Sequence, residues 1–257
     1  MRFSLLASGK RVRPLMCVLI ARAAGEKGGS FALDAGCAVE MVHTASLILD
    51  DLPCMDNAAM RRGRPTTHLE FGQSTAILAS VGLLNRAFGV LAEHAETDPA
   101  IKAQALAVLS EAVGSNGMIA GQEIDLHERA KLTEEAPIEG VNWLKTGVLF
   151  VAAAHLGALA AELEPSRIDA VTTFAKHVGL AFQTADDLID QTSDAETAGK
   201  DVGQDSDTPT LVSLSGIEAA QDSCDQHLAK AREALDRSGI DGAGLQALVD
   251  SIFGAKT

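Results

Sequence analysis

Six aspartates carry the strongest chemical signal in this sequence. Asp50 and Asp51 are adjacent, and Asp56 follows after one helical turn and a half. Asp186, Asp187 and Asp190 sit far downstream, inside the otherwise apolar AFQTADDLID. At ~100° per residue, Gln183, Asp187 and Asp190 fall within ~60° of one another on a helix, with Asp186 at the edge of that stripe. Carboxylates on an apolar helix are costly unless cations meet them. Hard oxygens without Cys or His partners suit Mg²⁺ far better than Zn²⁺. Mg²⁺ takes one or two carboxylates and completes its sphere with waters and phosphate oxygens. Two acidic stripes therefore predict a phosphorylated ligand clamped between them. Residues 194–207 continue the acidity, and there a solvated loop is an equal reading.

Basic residues gather in two places, Gly9-Lys10-Arg11-Val12-Arg13-Pro14 and Arg61-Arg62-Gly63-Arg64-Pro65. Gly and Pro mark both as turns. Each is either a solvated basic loop or an anion site in which Arg makes forked contacts to phosphate oxygens. His43 lies seven residues before Asp50, two turns away on the same helix face, across the apolar TASLIL. Neither a Walker-type loop nor Gly-x-Gly-x-x-Gly is present, so an ordinary nucleotide phosphate loop is not the binding device.

The elements that must position these groups are helices. Aromatics make up 4% and Tyr is absent, while alternating β-branched runs are almost missing, so helix is favoured over strand. Apolar residues recur at helical spacing over Pro14–Ala24, Phe31–Asp51, Gln73–Ala95, Ala100–Gly114, Gly117–Glu128, Gly140–Glu162, Arg167–Asp190, Thr210–Ser238 and Leu245–Phe253. Gly147–Ala161 is apolar on more than one face and belongs at a bundle centre or a subunit interface. No Pro-, Gly- or Ser-rich linker divides the 257 residues, so they read as one all-α domain, 1–257. A net charge of −14 repels nucleic acid and anionic lipid. Four scattered Cys without C-x-x-C pairing fit a reducing cytosol. No uninterrupted apolar run reaches the ~20 residues of a membrane span, and there is no signal peptide.

The sequence resembles the trans-isoprenyl diphosphate synthases, in particular the bacterial carotenoid-pathway geranylgeranyl type. The resemblance covers nearly the whole chain and rests on GKRVRP (9–14), VEMVHTASLILDDLPCMDNAAMRRGRPTTH (39–68), GQEIDL (121–126), Lys145-Thr146 and FQTADDLIDQTSDAETAGKD (182–201). It implies a helical bundle around a deep central cavity, a homodimer in the cytoplasm, and Mg²⁺, as three ions once diphosphate is bound. It implies that Asp50, Asp51, Asp56, Asp186, Asp187 and Asp190 hold the metal. Arg61, Lys145 and Lys200 would contact the diphosphate of the allylic substrate, which is dimethylallyl, geranyl or farnesyl diphosphate. Lys10, Arg13, His43 and Arg62 would hold isopentenyl diphosphate. Thr146 and Gln183 would lie near the developing carbocation.

Three departures from the family pattern stand out. Thr208 occupies the place of an expected Lys. The sequence starts at the segment that usually follows one or two further helices. The stretch from His127 to Glu139 matches poorly. Ala45 and Ser46 precede Asp50 by five and four residues, ~7.5 and ~6 Å along a helix. Farnesyl-producing relatives carry a bulky aromatic at the first of these positions, so small residues imply the twenty-carbon product. A farnesyl or longer-chain synthase is the alternative. A terpene cyclase would leave GKRVRP and Arg61-Arg62 unexplained, and a catalytically silent partner subunit would normally lose one aspartate set. Gln122 and Asp125 read as a helix pair, Phe71, Phe88, Phe150 and Phe182 as core or cavity wall, and Cys54 as no ligand.

Overall fold

The computed structural model describes residues 1–25, 29–192 and 209–254. Lys200 and Thr208 lie outside them, as does the side chain of Asp190. The described elements run α1 (Arg2–Leu5), α2 (Val12–Ala23), α3 (Gly29–Asp50), β1 (Met60–Arg61), β2 (Arg64–Pro65), α4 (Thr67–Phe71), α5 (Gln73–Glu93), α6 (Pro99–Val113) and α7 (Met118–His127). After a 3₁₀ turn at Arg129–Lys131 come α8 (Glu135–Asn142), a π-helical turn (Trp143–Gly147), α9 (Val148–Ala160), α10 (Pro165–Thr192), α11 (Leu211–Ser215), α12 (Ile217–Ser238) and α13 (Ala243–Phe253). The expected all-α architecture is what the chain adopts.

Helix α9 is the axis of the bundle, because its apolar residues cover every face. Leu149, Ala153 and Leu156 enter a core shared with Cys17, Phe31, Val39, Leu91 and Leu109. Phe150, Ala154 and Ala158 point the other way, into a core with Met16, Ile20, Phe174, Leu235 and Leu245. Helices α2, α3, α6 and α10 surround α9. A Cβ added at Gly157 would stand 2.3 Å from the carbonyl oxygen of Cys17, so α2 and α9 meet backbone to backbone. Such close approach is what an Ala-rich, aromatic-poor composition permits.

Most expected helices recur within a few residues of their boundaries; the short α1 and α4 were not expected, and three further segments differ. The expected helix Gly140–Glu162 is α8, the π turn and α9 in succession. The expected helix Thr210–Ser238 breaks at Gly216, whose φ of +86° is left-handed. A hairpin stands where only a turn was expected, pairing Met60 with Pro65 and Arg61 with Arg64. Its central residues, Arg62 (φ 54°) and Gly63 (φ 73°), give the two positive φ values of a type I′ turn.

The expectation of no membrane-length segment needs correction. Ser30–Asp50, Gln73–Glu93 and Glu135–Ala160 are long and apolar enough to cross a bilayer by length and composition, with mean hydropathies of 1.3, 1.5 and 1.4. Scattered polar residues hide this in a search for uninterrupted runs. In the fold, the first and third bury most of that surface against other helices, and Gln73–Glu93 leaves Ile77, Leu78 and Val81 exposed.

Gly157→Ala is expected to cost about 1–3 kcal/mol by overpacking the α2–α9 contact. The denaturant midpoint measures it, and an unchanged midpoint contradicts the backbone-to-backbone packing.

Candidate active site

Lys145 and Thr146 ride on the π turn, a wide helical turn common at functional sites. They reach in different directions. Lys145 Nζ donates to Asp125 Oδ2 at 2.5 Å, and its charge also meets Asp50 and Asp56. Thr146 Oγ1 donates to Gln183 Oε1 at 2.9 Å, and Gln183 Nε2 donates to Asp187 Oδ1 at 2.9 Å. The turn thus connects the first aspartate set, at the end of α3, with the second, near the end of α10. Helix α7 presses closely on it: a Cβ at Gly121 would lie 2.5 Å from the Lys145 nitrogen. That approach lets Asp125, one turn further along α7, reach the lysine.

Asp125 also accepts from Arg129 at 2.7 Å, and Arg129 donates to the Pro209 carbonyl at 3.1 Å. Burial pushes the Asp125 carboxyl up, but Lys145 and Arg129 outweigh it and hold the carboxyl below its ordinary value. Burial alone would lower Lys145. Asp125, Asp50 and Asp56 outweigh that burial and keep the ammonium protonated to higher pH.

In the first aspartate set, Asp51 is buried and accepts from Arg61 Nε at 2.9 Å and from Nη2 at 2.6 Å. Burial still raises its pKa. The Asp50 carboxyl is pushed up to about 6, by burial first, with Asp56 and Asp51 adding and Lys145 and Arg61 opposing. Asp56 is exposed.

Arg11, Arg13, Arg61 and Arg62 all act on His43, which burial and their positive charge hold well below its ordinary pKa. Glu40, on α3, pairs with Arg11 and stands 3.8 Å from Arg62. Arg13 lies under the ring of Phe150, 4.3 Å from its centroid, and 6.0 Å from that of Phe182. Burial lowers Arg13 to about 10 against the pull of Glu40 and Asp186. Its buried Nε has no hydrogen-bond partner, a donor suited to an anion. Asp186 thereby links the second aspartate set to this basic cluster. Lys10 is exposed, next to Gly9, whose missing Cβ leaves room for the Arg62 guanidinium.

A largely apolar cavity of about 270 Å³ opens beside Asp50 and Lys145, which line it together with Val42, Leu84, Val113 and Met118. Ala45 and Ser46 line it, as expected for residues one turn below Asp50. Its serines are tied back to the backbone: Ser46 donates to the His43 carbonyl at 2.9 Å and Ser80 to that of Ala45 at 2.8 Å. Both hydroxyls are thus satisfied within the wall, which carries Gln122 and Glu123 among mainly apolar residues.

Sequence reasoning missed three groups. Asp125 read as a plain helix pair, yet it anchors Lys145. Arg129 carried no signal. Glu40 could have been found by the argument that singled out His43, a charge on an apolar helix; its partner is Arg11 of the first basic cluster. One aromatic reading also changes: Phe71 is exposed and meets Phe3 edge to face at 5.2 Å. Phe150 and Phe182 belong to the core as expected, and there they also pack on Arg13.

Among the described residues, no group of three or more His, Cys, Asp or Glu is assembled to hold a metal ion by itself. The donor chemistry fits Mg²⁺ nonetheless, since that ion needs few carboxylates when a diphosphate supplies further oxygens. Crowding of Asp50 with Asp51 and Asp56 is the electrostatic counterpart of that requirement.

An acid whose folded pKa exceeds its unfolded value destabilises the fold as pH rises between the two. For Asp50 the window is 3.8 to about 6, and above it the ionised form costs ~3 kcal/mol. Asp50→Asn is therefore expected to raise the metal-free denaturation midpoint at pH 8, with the gain vanishing near pH 4. A lowered midpoint at pH 8 contradicts this. Asp125→Ala, which strands Lys145 and Arg129, is expected to lower stability by about 3 kcal/mol, and an unchanged midpoint contradicts the anchoring role.

The polyprenyl synthetase family profile matches residues 1–248. A geranylgeranyl diphosphate synthase from Pseudescherichia vulneris is 43% identical over 255 residues, covering 99% of this chain and 82% of that one. A farnesyl diphosphate synthase from Geobacillus stearothermophilus is 39% identical over 252 residues, covering 95% and 84%. The crystal structure of a geranyltransferase from Helicobacter pylori, complexed with magnesium and isoprenyl diphosphate, superposes with a TM-score of 0.91 at 30% identity, covering 98% of this chain and 86% of that one. With a charged helical site at the mouth of an apolar cavity and these likenesses along its length, the chain belongs to the polyprenyl synthetase family.

Proposed function

We propose that the protein joins an allylic diphosphate to isopentenyl diphosphate, head to tail and with Mg²⁺, and that its product is geranylgeranyl diphosphate. The observation that carries this reading is the π turn. It sets Lys145 beside Asp50 and Asp56 and ties Thr146 through Gln183 to Asp187, all near an apolar cavity.

Asp50, Asp51 and Asp56, with Asp186, Asp187 and Asp190, are the residues that would hold Mg²⁺. Bound there, the ion neutralises charge on the departing diphosphate. Lys145, kept protonated by its carboxylate neighbours, and Arg61 donate to the same diphosphate as its C–O bond breaks. Arg13, Arg62 and a neutral His43 receive the diphosphate of isopentenyl diphosphate. The Gln183 amide oxygen, already fixed by the Thr146 hydroxyl, directs its dipole toward the developing allylic cation. The double bond of isopentenyl diphosphate attacks that cation, and the proton then lost passes to the released pyrophosphate. Apolar walls keep water from the cation.

Small side chains at Ala45 and Ser46 support a deep cavity and the longer product. The fifteen-carbon product is the second reading, favoured by the farnesyl diphosphate synthases among the relatives. We also propose a homodimer seated on α5, where Ile77, Leu78 and Val81 leave an exposed apolar face.

Incubation with Mg²⁺, isopentenyl diphosphate and dimethylallyl or farnesyl diphosphate, followed by product chromatography, tests this. A twenty-carbon product is expected, and Ala45→Phe should shorten it. A fifteen-carbon product from the unaltered protein, or no shortening in the variant, contradicts the cavity argument. Cyclic hydrocarbon or no condensation contradicts the reaction.

A further inference from the structure

Away from the carboxylates, two imidazoles meet across the packing of α10 on α12. His177 Nδ1 and His227 Nδ1 are 3.0 Å apart, with ring centroids at 5.2 Å and planes inclined by 32°. The rings meet almost head on, so one Nδ1–H donates to the other Nδ1. Neither residue takes part in the chemistry proposed above. His177 precedes Asp186 on α10 by nine residues, ~13.5 Å along the helix.

We propose that His177 and His227 form an accessory binding site for a borderline divalent cation of the Cu²⁺, Ni²⁺ and Zn²⁺ class, distinct from the Mg²⁺ carboxylates. Two metal–nitrogen bonds of ~2.0–2.1 Å span 3.0 Å when the angle at the metal is about 95°. That is close to the cis angle of a tetragonal Cu²⁺ or Ni²⁺ site, and a modest opening reaches the tetrahedral angle of Zn²⁺. The ion replaces the shared proton. Each ring turns about χ2 to aim Nδ1 at the metal, and the displaced Nδ1 proton moves to Nε2 of the same ring. No net proton is released. Both rings are partly exposed, so the ion can enter and water can complete its coordination.

Packing and charge set the terms of binding. The helices that carry the two residues are packed on each other through one core, with Phe174 and Val178 from α10 and Ala231 and Leu235 from α12, so the pair is preorganised. Burial, then neighbouring cations, lowers both pKa values, His227 to about 4, so both rings are unprotonated at neutral pH. The charged groups facing the pair are Lys176 from α10 and Lys230 and Arg237 from α12. They oppose any cation, and Lys176 is drawn aside over Trp143, 5.2 Å from its ring centroid. Only an ion that gains strongly from imidazole overcomes that field, which excludes Mg²⁺.

The test is Cu²⁺ electron paramagnetic resonance on the full chain, with thermal shift titrations of Cu²⁺, Ni²⁺, Zn²⁺ and Mg²⁺. The copper spectrum is expected to show coupling to two imidazole nitrogens, and Cu²⁺ is expected to raise the melting temperature where Mg²⁺ does not. His177→Gln and His227→Gln should each weaken Cu²⁺ binding about tenfold or more, and the double variant should lose the two-nitrogen spectrum while keeping Mg²⁺-dependent turnover. A spectrum of the unaltered protein without two nitrogens overturns the proposal, whatever the variants do. So does a double variant that binds Cu²⁺ as the parent does.

Discussion

Charge balance inside an apolar bundle is the constraint on which this structure depends. The chain places carboxylates at the ends of two central helices, where burial drives Asp50 up to about 6. It supplies part of the counter-charge itself, as Arg61 on Asp51 and as Lys145 between Asp125, Asp50 and Asp56. The remainder must come with the ligand. A site left short of positive charge is less stable alone, and attracts cations more strongly for that reason.

The scaffold turns this imbalance into geometry. Backbone-level packing of α9 on α2 and of α7 on the π turn, made possible by Gly157 and Gly121, brings residues distant in sequence within hydrogen-bonding range. The π turn then sends two neighbouring side chains to different partners. Lys145 serves the first aspartate set and Thr146 the second. Left-handed backbone at Arg11, Asn57 and Arg62 lies in the loops that carry the other charged groups, where local strain is common at functional sites.

The fold class was legible because apolar spacing alone decides it. Helix α9 was legible as central, since a helix without a polar face has nowhere else to go. The aspartate sets were legible as carboxylates that an apolar helix does not tolerate without reason. The π turn was not, because nothing in Asn142-Trp143-Leu144-Lys145 distinguishes it from continuous α-helix, and its close contact with α7 at Gly121 is visible only in the fold. Asp125 was misjudged for a related reason: its partner Lys145 is twenty residues away, and local spacing offered a sufficient explanation. The break at Gly216 and the Arg62-Gly63 turn had visible glycine signals.

Linkage between Mg²⁺ and inorganic pyrophosphate tests the central claim most directly. Calorimetric titration of each, with and without the other, measures it. If the carboxylates are balanced jointly by metal and diphosphate, each ligand should tighten the other by about a hundredfold, ~2.7 kcal/mol of coupling. Independent binding, with the two affinities unchanged by each other's presence, would contradict the account.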